Sequence, residues 1–475
     1  MTRRLPLVLD MDGTLLLNDT LVEALTERLF SAPHQLPAVL AALAGGRAPF
    51  KHRLSAISEL DIDTLPVRQD LADYAAAEHA SGREVWLVTA ADQAIADKVA
   101  ARFGFFTGAK GSDGLTNLKS AKKQAWLRAR FPDGYVYAGD SPADLAVWQD
   151  ADAIILAGAR PATQRKARAL GKPVEAHFPN EPAGLRGWRK ALRLHQWSKN
   201  LLVFVPLLLS GLYREPETLI AVLAAFAGLG LTASGTYILN DLADLSADRR
   251  HRSKHTRPFA SGRIAPEQGL FAAPVLIGGG LVLTTAAGGL WAGLGLLAYL
   301  AITLAYSFGL KRQPLVDVLL LAALFTIRLV IGALAISADL SPWLFSFSMF
   351  FFLSLSMAKR HVEIAAGAPG EPIRGRGYVT EDRAFSLSMG MASAMAAIVI
   401  LCLYIIEDAY PAGLYSTAEW LLLAPVIIGG WTLRVWLLAE RGTLDDDPVS
   451  FAIRDRPSLL LGLVLMIVFG LASLT

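Results

Sequence analysis

The chain has 475 residues, enough for two or three domains. Only 18% of them are charged and 53% are hydrophobic, whereas soluble domains average about 25% charged, so part of the chain belongs in lipid. A net charge of +3 is too small for a nucleic-acid partner, and a single cysteine, Cys402, excludes an intrachain disulfide framework.

The opening MTRRLPLVLDMDGT has too short an apolar run for a signal peptide. Leu5 to Leu9 reads as a buried parallel strand ending in a polar turn. In open α/β sheets the active site lies at the carboxyl ends of the strands, which places Asp10 and Asp12 well for chemistry. A second strand, REVWLVTAA, reaches Thr89. Lys119 opens a helical segment, NLKSAKKQAWL. A third strand, in GYVYAGDSPADL, ends at Asp140, with Asp144 four residues on. Strands alternating with helices predict a parallel, doubly wound sheet. Between Asp10 and Thr89, LVEALTERLF and LPAVLAALAG carry Ala and Leu at helical spacing and predict a small helical cap.

In order and spacing, these motifs resemble the haloacid dehalogenase superfamily. The resemblance implies that Asp10 is the nucleophile, forming an aspartyl-phosphate, and that Asp12 is the general acid/base of a phosphatase-type member. It gives Thr89 and Lys119 the phosphoryl group to hold. Asp10, the Asp12 carbonyl and Asp140 would bind Mg²⁺, with Asp144 in support. The chemistry is coherent: a carboxylate attacking a phosphate needs a cation to cancel repulsion and donors on the equatorial oxygens.

Residues 159–189 combine a short helix with Pro and Gly breaks, and the first domain boundary is expected near Pro182. GWRKALRLHQ, Gly187 to Gln196, reads as an amphipathic helix lying on a membrane surface. The expected domains are therefore 1–182, an interfacial linker at 183–198, and 199–475.

Beyond the linker, long apolar runs recur at about 200–213, 217–240, 268–287, 289–308, 315–337, 342–358, 384–406, 417–438 and 457–474, most of them reaching the ~20 residues that cross a bilayer as a helix. Loops after the second, fourth, sixth and eighth runs hold nearly all the loop Lys and Arg, among them Arg249, Lys311, Arg374 and Arg441; the opposite loops hold only Arg214. By the positive-inside rule the basic loops and the N-terminal domain are cytoplasmic and the C-terminus is outside. This is the pattern of a nine-span protein of bacterial inner-membrane type.

The second run ends in NDLADLSAD. Asp241, Asp244 and Asp248 lie at i, i+3 and i+7, on one face of a helix. Such a triad suits Mg²⁺, a hard cation that takes oxygen ligands and substrate phosphates. Asn240 precedes it and Arg257 follows in a basic loop. On the same side lie Lys199, Asn200, Tyr306, Lys311, Asp317, Lys359, Arg360 and Glu363, and Arg328 lies within the fifth run. Charges at membrane depth face a cavity or a partner. Carboxylates with several Lys and Arg describe a pocket for a diphosphate.

Nine runs with NDxxDxxxD after the second resemble the UbiA superfamily of intramembrane prenyltransferases. The second aspartate motif usual after the sixth span is absent: KRHVEI there offers Glu363 alone. LRLHQWSKNLLVFVPLLLSG, the NDLADLSADRRHRSKHTRPFASG segment and YSFGLKRQPLVDVLLLAALFTIRLVIGALA look more narrowly like the decaprenyl-phosphate phosphoribosyltransferase branch. That likeness implies transfer of 5-phosphoribose from phosphoribosyl pyrophosphate to a polyprenyl phosphate, after which the phosphatase domain would remove the 5-phosphate. The alternative is a prenyltransferase moving an isoprenoid from its diphosphate to an aromatic or other acceptor, with a regulatory first domain. The expected fold is a Rossmann-like α/β domain with a helical cap, followed by an all-α nine-helix transmembrane bundle.

Overall fold

A three-residue strand, β1 (Leu7–Leu9), is the centre of the N-terminal sheet in the computed structural model of the protein, which describes residues 4–181, 183–367, 373, 376–444 and 448–473. Pro182 and the loop base Arg374 lie outside the described residues. The other strands are β2 (Val85–Asp92), β3 (Gly108–Ser112), β4 (Val136–Gly139), β5 (Ala153–Ala157) and β6 (Val174–Phe178), in the order β3-β2-β1-β4-β5-β6. Every pairing is parallel. Leu7, Val8 and Leu9 are all fully buried, as a central parallel strand covered on both faces requires. Side chains alternate across the sheet. Leu7 and Leu9 enter one core layer with Met11 and Leu15, while Val8 enters the other with Val88, Tyr137 and Trp148.

β1 lies between β2 and β4. The residues just beyond its carboxyl end therefore neighbour those at the ends of β2 and β4, which brings Asp10, Thr89 and Asp140 to one edge of the sheet. The helices Thr20–Ser31, Leu36–Ala41 and Arg47–Ile57 share a separate small core of Ala24, Val39, Phe50 and Leu54. They lie between the first two strands in the chain, in the stretch where a helical cap is expected. β6 was not expected: the edge strand VEAHF falls in the stretch read as a helix with breaks.

Two compact units divide the chain, Met1–Leu192 with Tyr237–Ala273, and Arg193–Thr236 with Pro274–Thr475. The acidic segment after the second apolar run thus packs with the α/β domain, a grouping that a linear boundary near residue 182 misses. In the linker, a helix at Gly184–Ala191 gives way to a 3₁₀ stretch at Leu194–Phe204.

Among the described residues six helices are long and apolar enough to cross a membrane: Pro216–Ala243, Pro266–Phe308, Val316–Ala335, Thr380–Ala409, Ala418–Glu440 and Arg456–Ser473. The difference from nine has local causes. The runs at 268–287 and 289–308 form one 43-residue element with a non-helical break at Gly289. The first run is broken into 3₁₀ and short helical pieces over Leu194–Leu209. Pro342–Ala365 is a 24-residue helix, but Ser346, Ser348, Ser354 and Ser356 make it more polar.

Gly13 fixes the turn after β1. Its φ is +75°, and a Cβ there would lie 2.6 Å from Asp140 Oδ2. Gly13→Ala is expected to cost ~1–3 kcal/mol of stability, read by chemical denaturation, and to lower phosphatase turnover by displacing Asp140. Unchanged stability would show that the turn relaxes freely.

Candidate active sites

In the α/β domain, Asp10 Oδ1 accepts a hydrogen bond from Met11 N at 2.9 Å and forms an ion pair of 2.9 Å with Lys123 Nζ. Lys123 is buried and also donates to the Tyr137 hydroxyl at 2.8 Å. That hydroxyl donates to Asp144 Oδ1 at 3.0 Å, while Asp144 Oδ2 accepts from Ser141 N and Oγ, both at 2.9 Å. Asp140 Oδ1 accepts from Thr14 Oγ1 at 3.3 Å. Asp12 Oδ1 accepts from Thr20 N at 2.9 Å, the amide at the start of the first cap helix. Thr89 is buried near the end of β2, where its hydroxyl accepts from Ala91 N at 3.1 Å.

Lys119 was expected to hold the phosphoryl group, and the structure places it elsewhere. It is exposed on the loop before helix Ala121–Arg130. The buried face of that helix is Lys123 and Leu127, four residues apart, so Lys123 is the lysine that reaches Asp10. The run KSAKKQ offers three lysines, and only the facing of the helix selects among them.

Asp10, Asp140 and Asp144 each contribute a carboxylate oxygen to a group lying within 4.8 Å of one another. Burial, reinforced by Asp144 and Asp10, pushes the Asp140 carboxyl up to about 8. Burial and then Asp19 push Asp12 up to about 7. Burial also raises Asp10, against the opposing pull of Lys123. An all-oxygen donor set with more acid than base fits a divalent cation such as Mg²⁺. Asp10 and Asp140 are the residues to hold it. Asp144 supports them, because its two oxygens are engaged by Tyr137 and Ser141.

The acidic segment departs from the expected continuous helix face. Helix Pro216–Ala243 stops one residue before Asp244, and a short helix, Leu245–Arg250, follows. Asp241 and Asp248 are buried and share one cation, with Arg257 Nη1 at 3.1 and 2.6 Å. Asp244 is exposed. Its amide bonds to the Asn240 carbonyl at 3.0 Å and its carbonyl accepts from Asp248 N at 2.7 Å. The triad therefore is not gathered on one ion site here; a guanidinium joins two of its members. Arg249 forms a buried ion pair with Glu23 of the first cap helix at 2.5 Å, and Arg250 pairs with Asp61 at 2.5 Å.

The remaining predicted residues lie in the second unit. Arg328 is buried. Its Nε donates to Asn200 Oδ1 at 3.1 Å and its Nη2 to the Tyr299 hydroxyl at 3.4 Å, and the guanidinium lies over the Tyr299 and Phe325 rings at 5.1 and 5.2 Å. Lys199 Nζ lies 5.8 Å from the Phe325 ring. Arg360 and Asp317 are fully buried and paired at 2.7 Å, with Glu363 also on Arg360. Arg360 is thus held by two acids within the protein. Arg376, not singled out from the sequence as a site residue, donates to the Tyr306 hydroxyl at 3.0 Å and to the Lys311 carbonyl at 3.2 Å. Lys359 is half-buried beside Arg360 in the chain. An apolar cavity of about 460 Å³ lies in this unit, lined by Leu202, Phe347, Phe351, Tyr404, Trp431 and Phe469 among others.

Residues 201–470 match the model of the UbiA prenyltransferase family, and residues 7–149 match that of haloacid dehalogenase-like hydrolases. A protein of Sinorhizobium fredii named "Uncharacterized protein y4nM" is 42% identical over 99% of this chain and 91% of its own. "Nodulation protein NoeC" of Azorhizobium caulinodans is 34% identical over 59% of this chain and 92% of its own. "Decaprenyl-phosphate phosphoribosyltransferase" of Mycobacterium tuberculosis is 32% identical over 61% of this chain and 96% of its own.

Lys123→Ala is expected to lower turnover of para-nitrophenyl phosphate ~100-fold or more, the scale of losing one charged donor on a transferred group, and Lys119→Ala far less. A larger loss at Lys119 would reverse the assignment. The acids also predict a pH dependence. Asp12 and Asp140 carry raised values in the folded protein, at about 7 and about 8, against about 3.9 unfolded. The ionisation penalty is absent below about pH 4 and complete above about pH 8, so metal-free protein loses stability as pH rises through that window. Melting temperatures in chelator should fall across it, and Mg²⁺ should restore more at the alkaline end. A flat profile would contradict this.

Proposed function

Since the chain belongs to the UbiA prenyltransferase family and carries a haloacid dehalogenase-like domain ahead of it, we propose that it is a bifunctional membrane enzyme. The membrane half transfers 5-phosphoribose from phosphoribosyl pyrophosphate to a polyprenyl phosphate. The α/β half then hydrolyses the 5-phosphate of that product. The observation that carries this reading is the pairing of two separate acid and base sets in one chain, Asp10–Lys123 and Asp241–Arg257–Asp248.

For the first reaction, the lipid phosphate oxygen attacks the anomeric carbon and the bond to pyrophosphate breaks. Asp241, Asp244 and Asp248 are the residues to hold Mg²⁺, which would supply charge neutralisation for the departing pyrophosphate. Arg257 is the internal cation on two of these acids, and with Mg²⁺ held there its guanidinium would be available to pair with a phosphate. Within the second unit, Arg328, Lys199, Lys311, Lys359 and Arg376 supply positive charge of the kind that phosphates take. Tyr306 holds Arg376, Asn200 holds Arg328, and Asp317 and Glu363 hold Arg360. The apolar cavity has the aromatic lining that an isoprenoid chain would occupy. The relative named as a decaprenyl-phosphate phosphoribosyltransferase, similar across the membrane half, supports this donor and acceptor class.

For the second reaction, Asp10 attacks the phosphorus and the bond to the ribose O5 breaks. Asp12, held near neutrality, gives its proton to that oxygen. Water then attacks the aspartyl-phosphate, with Asp12 taking its proton, and inorganic phosphate leaves. Lys123 and Thr89 hold the phosphoryl oxygens. In this reading both sites face the cytoplasm, where the basic loops lie, and tethering raises the local concentration of the lipid intermediate at the phosphatase.

Purified protein supplied with phosphoribosyl pyrophosphate, polyprenyl phosphate and Mg²⁺ should give a ribosylated lipid by mass spectrometry. Asp10→Asn should accumulate the phosphoribosylated form instead, and Asp241→Asn should lower both products ~100-fold or more. Identical lipids from Asp10→Asn and wild type would end the phosphatase assignment. Full transfer by Asp241→Asn would end the acid's role.

A further inference from the structure

The cap places a second lysine over the phosphatase site. Lys51 is on the cap helix Arg47–Ile57, and with Asp12, Thr20, Ser55 and Asp92 it lines a narrow cleft. Its ammonium donates to the Ala90 carbonyl at 2.7 Å, one residue beyond Thr89, and to Asn117 Oδ1 at 3.4 Å. Both acceptors are neutral. Among the described residues no carboxylate is ion-paired with it.

Burial is the main force holding the Lys51 ammonium below the ordinary lysine range, and the nearby charge of Lys119 adds to it while Asp12, Asp19 and Asp10 oppose it. Asn117, one of the two neutral acceptors on Lys51, stands two residues before Lys119, so two ammonium-bearing residues share this part of a cleft that Asp12 and Asp92 also line, and such a pair describes a place for an added anion. Lys123 already neutralises the nucleophile. Lys51 and Lys119 are therefore surplus to a single phosphate at Asp10. A phosphoribosylated lipid carries two: the 5-phosphate to be removed and the phosphodiester at the anomeric carbon.

We propose that Lys51, with Asn117 and Lys119, forms a second anion subsite that receives the phosphodiester of the substrate while its 5-phosphate faces Asp10. This rests on the phosphatase reading above and adds to it what the cap selects: a sugar phosphate bearing a second anion. His52, whose Nδ1 lies 2.9 Å from Asp92 Oδ2, fixes the same helix to the end of β2 and keeps Lys51 over the cleft.

The test uses full-length protein with Mg²⁺ and two soluble probes, ribose 5-phosphate and ribose 1,5-bisphosphate. Phosphate release from the 5-position should be about tenfold or more efficient for the bisphosphate, the scale of a charged hydrogen bond. Lys51→Met should erase most of that preference, chiefly through KM for the bisphosphate, and Lys51→Arg should keep it. Equal losses on the two probes would mark Lys51 as a packing residue and overturn the subsite. So would a wild type with no preference, or one that leaves the bisphosphate untouched. Melting temperatures of both variants separate misfolding from lost recognition. The broader reading fails separately, if the protein does not dephosphorylate the lipid made by its own transfer reaction.

Discussion

A basic side chain held between acids is the interaction on which this chain depends. Lys123 pairs with Asp10 and, through Tyr137, is linked to Asp144. Arg257 joins Asp241 to Asp248, and Arg360 joins Asp317 to Glu363. Burying such charges is costly, and a buried pair is seldom more stabilising than well-packed apolar residues of the same volume. Their use here makes sense as handling of phosphates. Under the proposed reading, a divalent cation would take the place of the base on these acids, and the base would then be available to a phosphate.

The fold sets which of these groups meet. Strand order brings the ends of β1, β2 and β4 side by side, and chemistry collects there because parallel strands all end on the same edge. In the acidic segment, the break between helix Pro216–Ala243 and helix Leu245–Arg250 turns Asp248 back toward Asp241 and leaves Asp244 exposed. Glu23 on Arg249 and Asp61 on Arg250 tie the α/β domain to the residues next to that segment.

Much of this was legible in the sequence, and the exceptions have physical reasons. The strands ending at Asp10, Thr89 and Asp140 announce themselves through apolar runs closing on polar motifs. β3, GAKGS, has almost no strand-forming residues, and β6 is a half-exposed edge, so neither carries a periodic signal. Lys119 and Lys123 are one helical turn apart, and choosing between them requires knowing which face packs on the sheet. The spacing of Asp241, Asp244 and Asp248 fits one helix face, but only if the helix continues. The apolar runs fall where helices form, while the pieces at Leu194–Leu209 and the turn at Gly289 depend on packing.

The central claim is that pyrophosphate leaves from a soluble donor and inorganic phosphate leaves next, from the lipid. Following both anions in one time course, with Mg²⁺, phosphoribosyl pyrophosphate and a polyprenyl phosphate, tests it most directly. The account predicts that pyrophosphate release requires the lipid monophosphate and is followed, after a lag, by an equal amount of inorganic phosphate. Pyrophosphate appearing only when a prenyl diphosphate and a separate acceptor are supplied would contradict it.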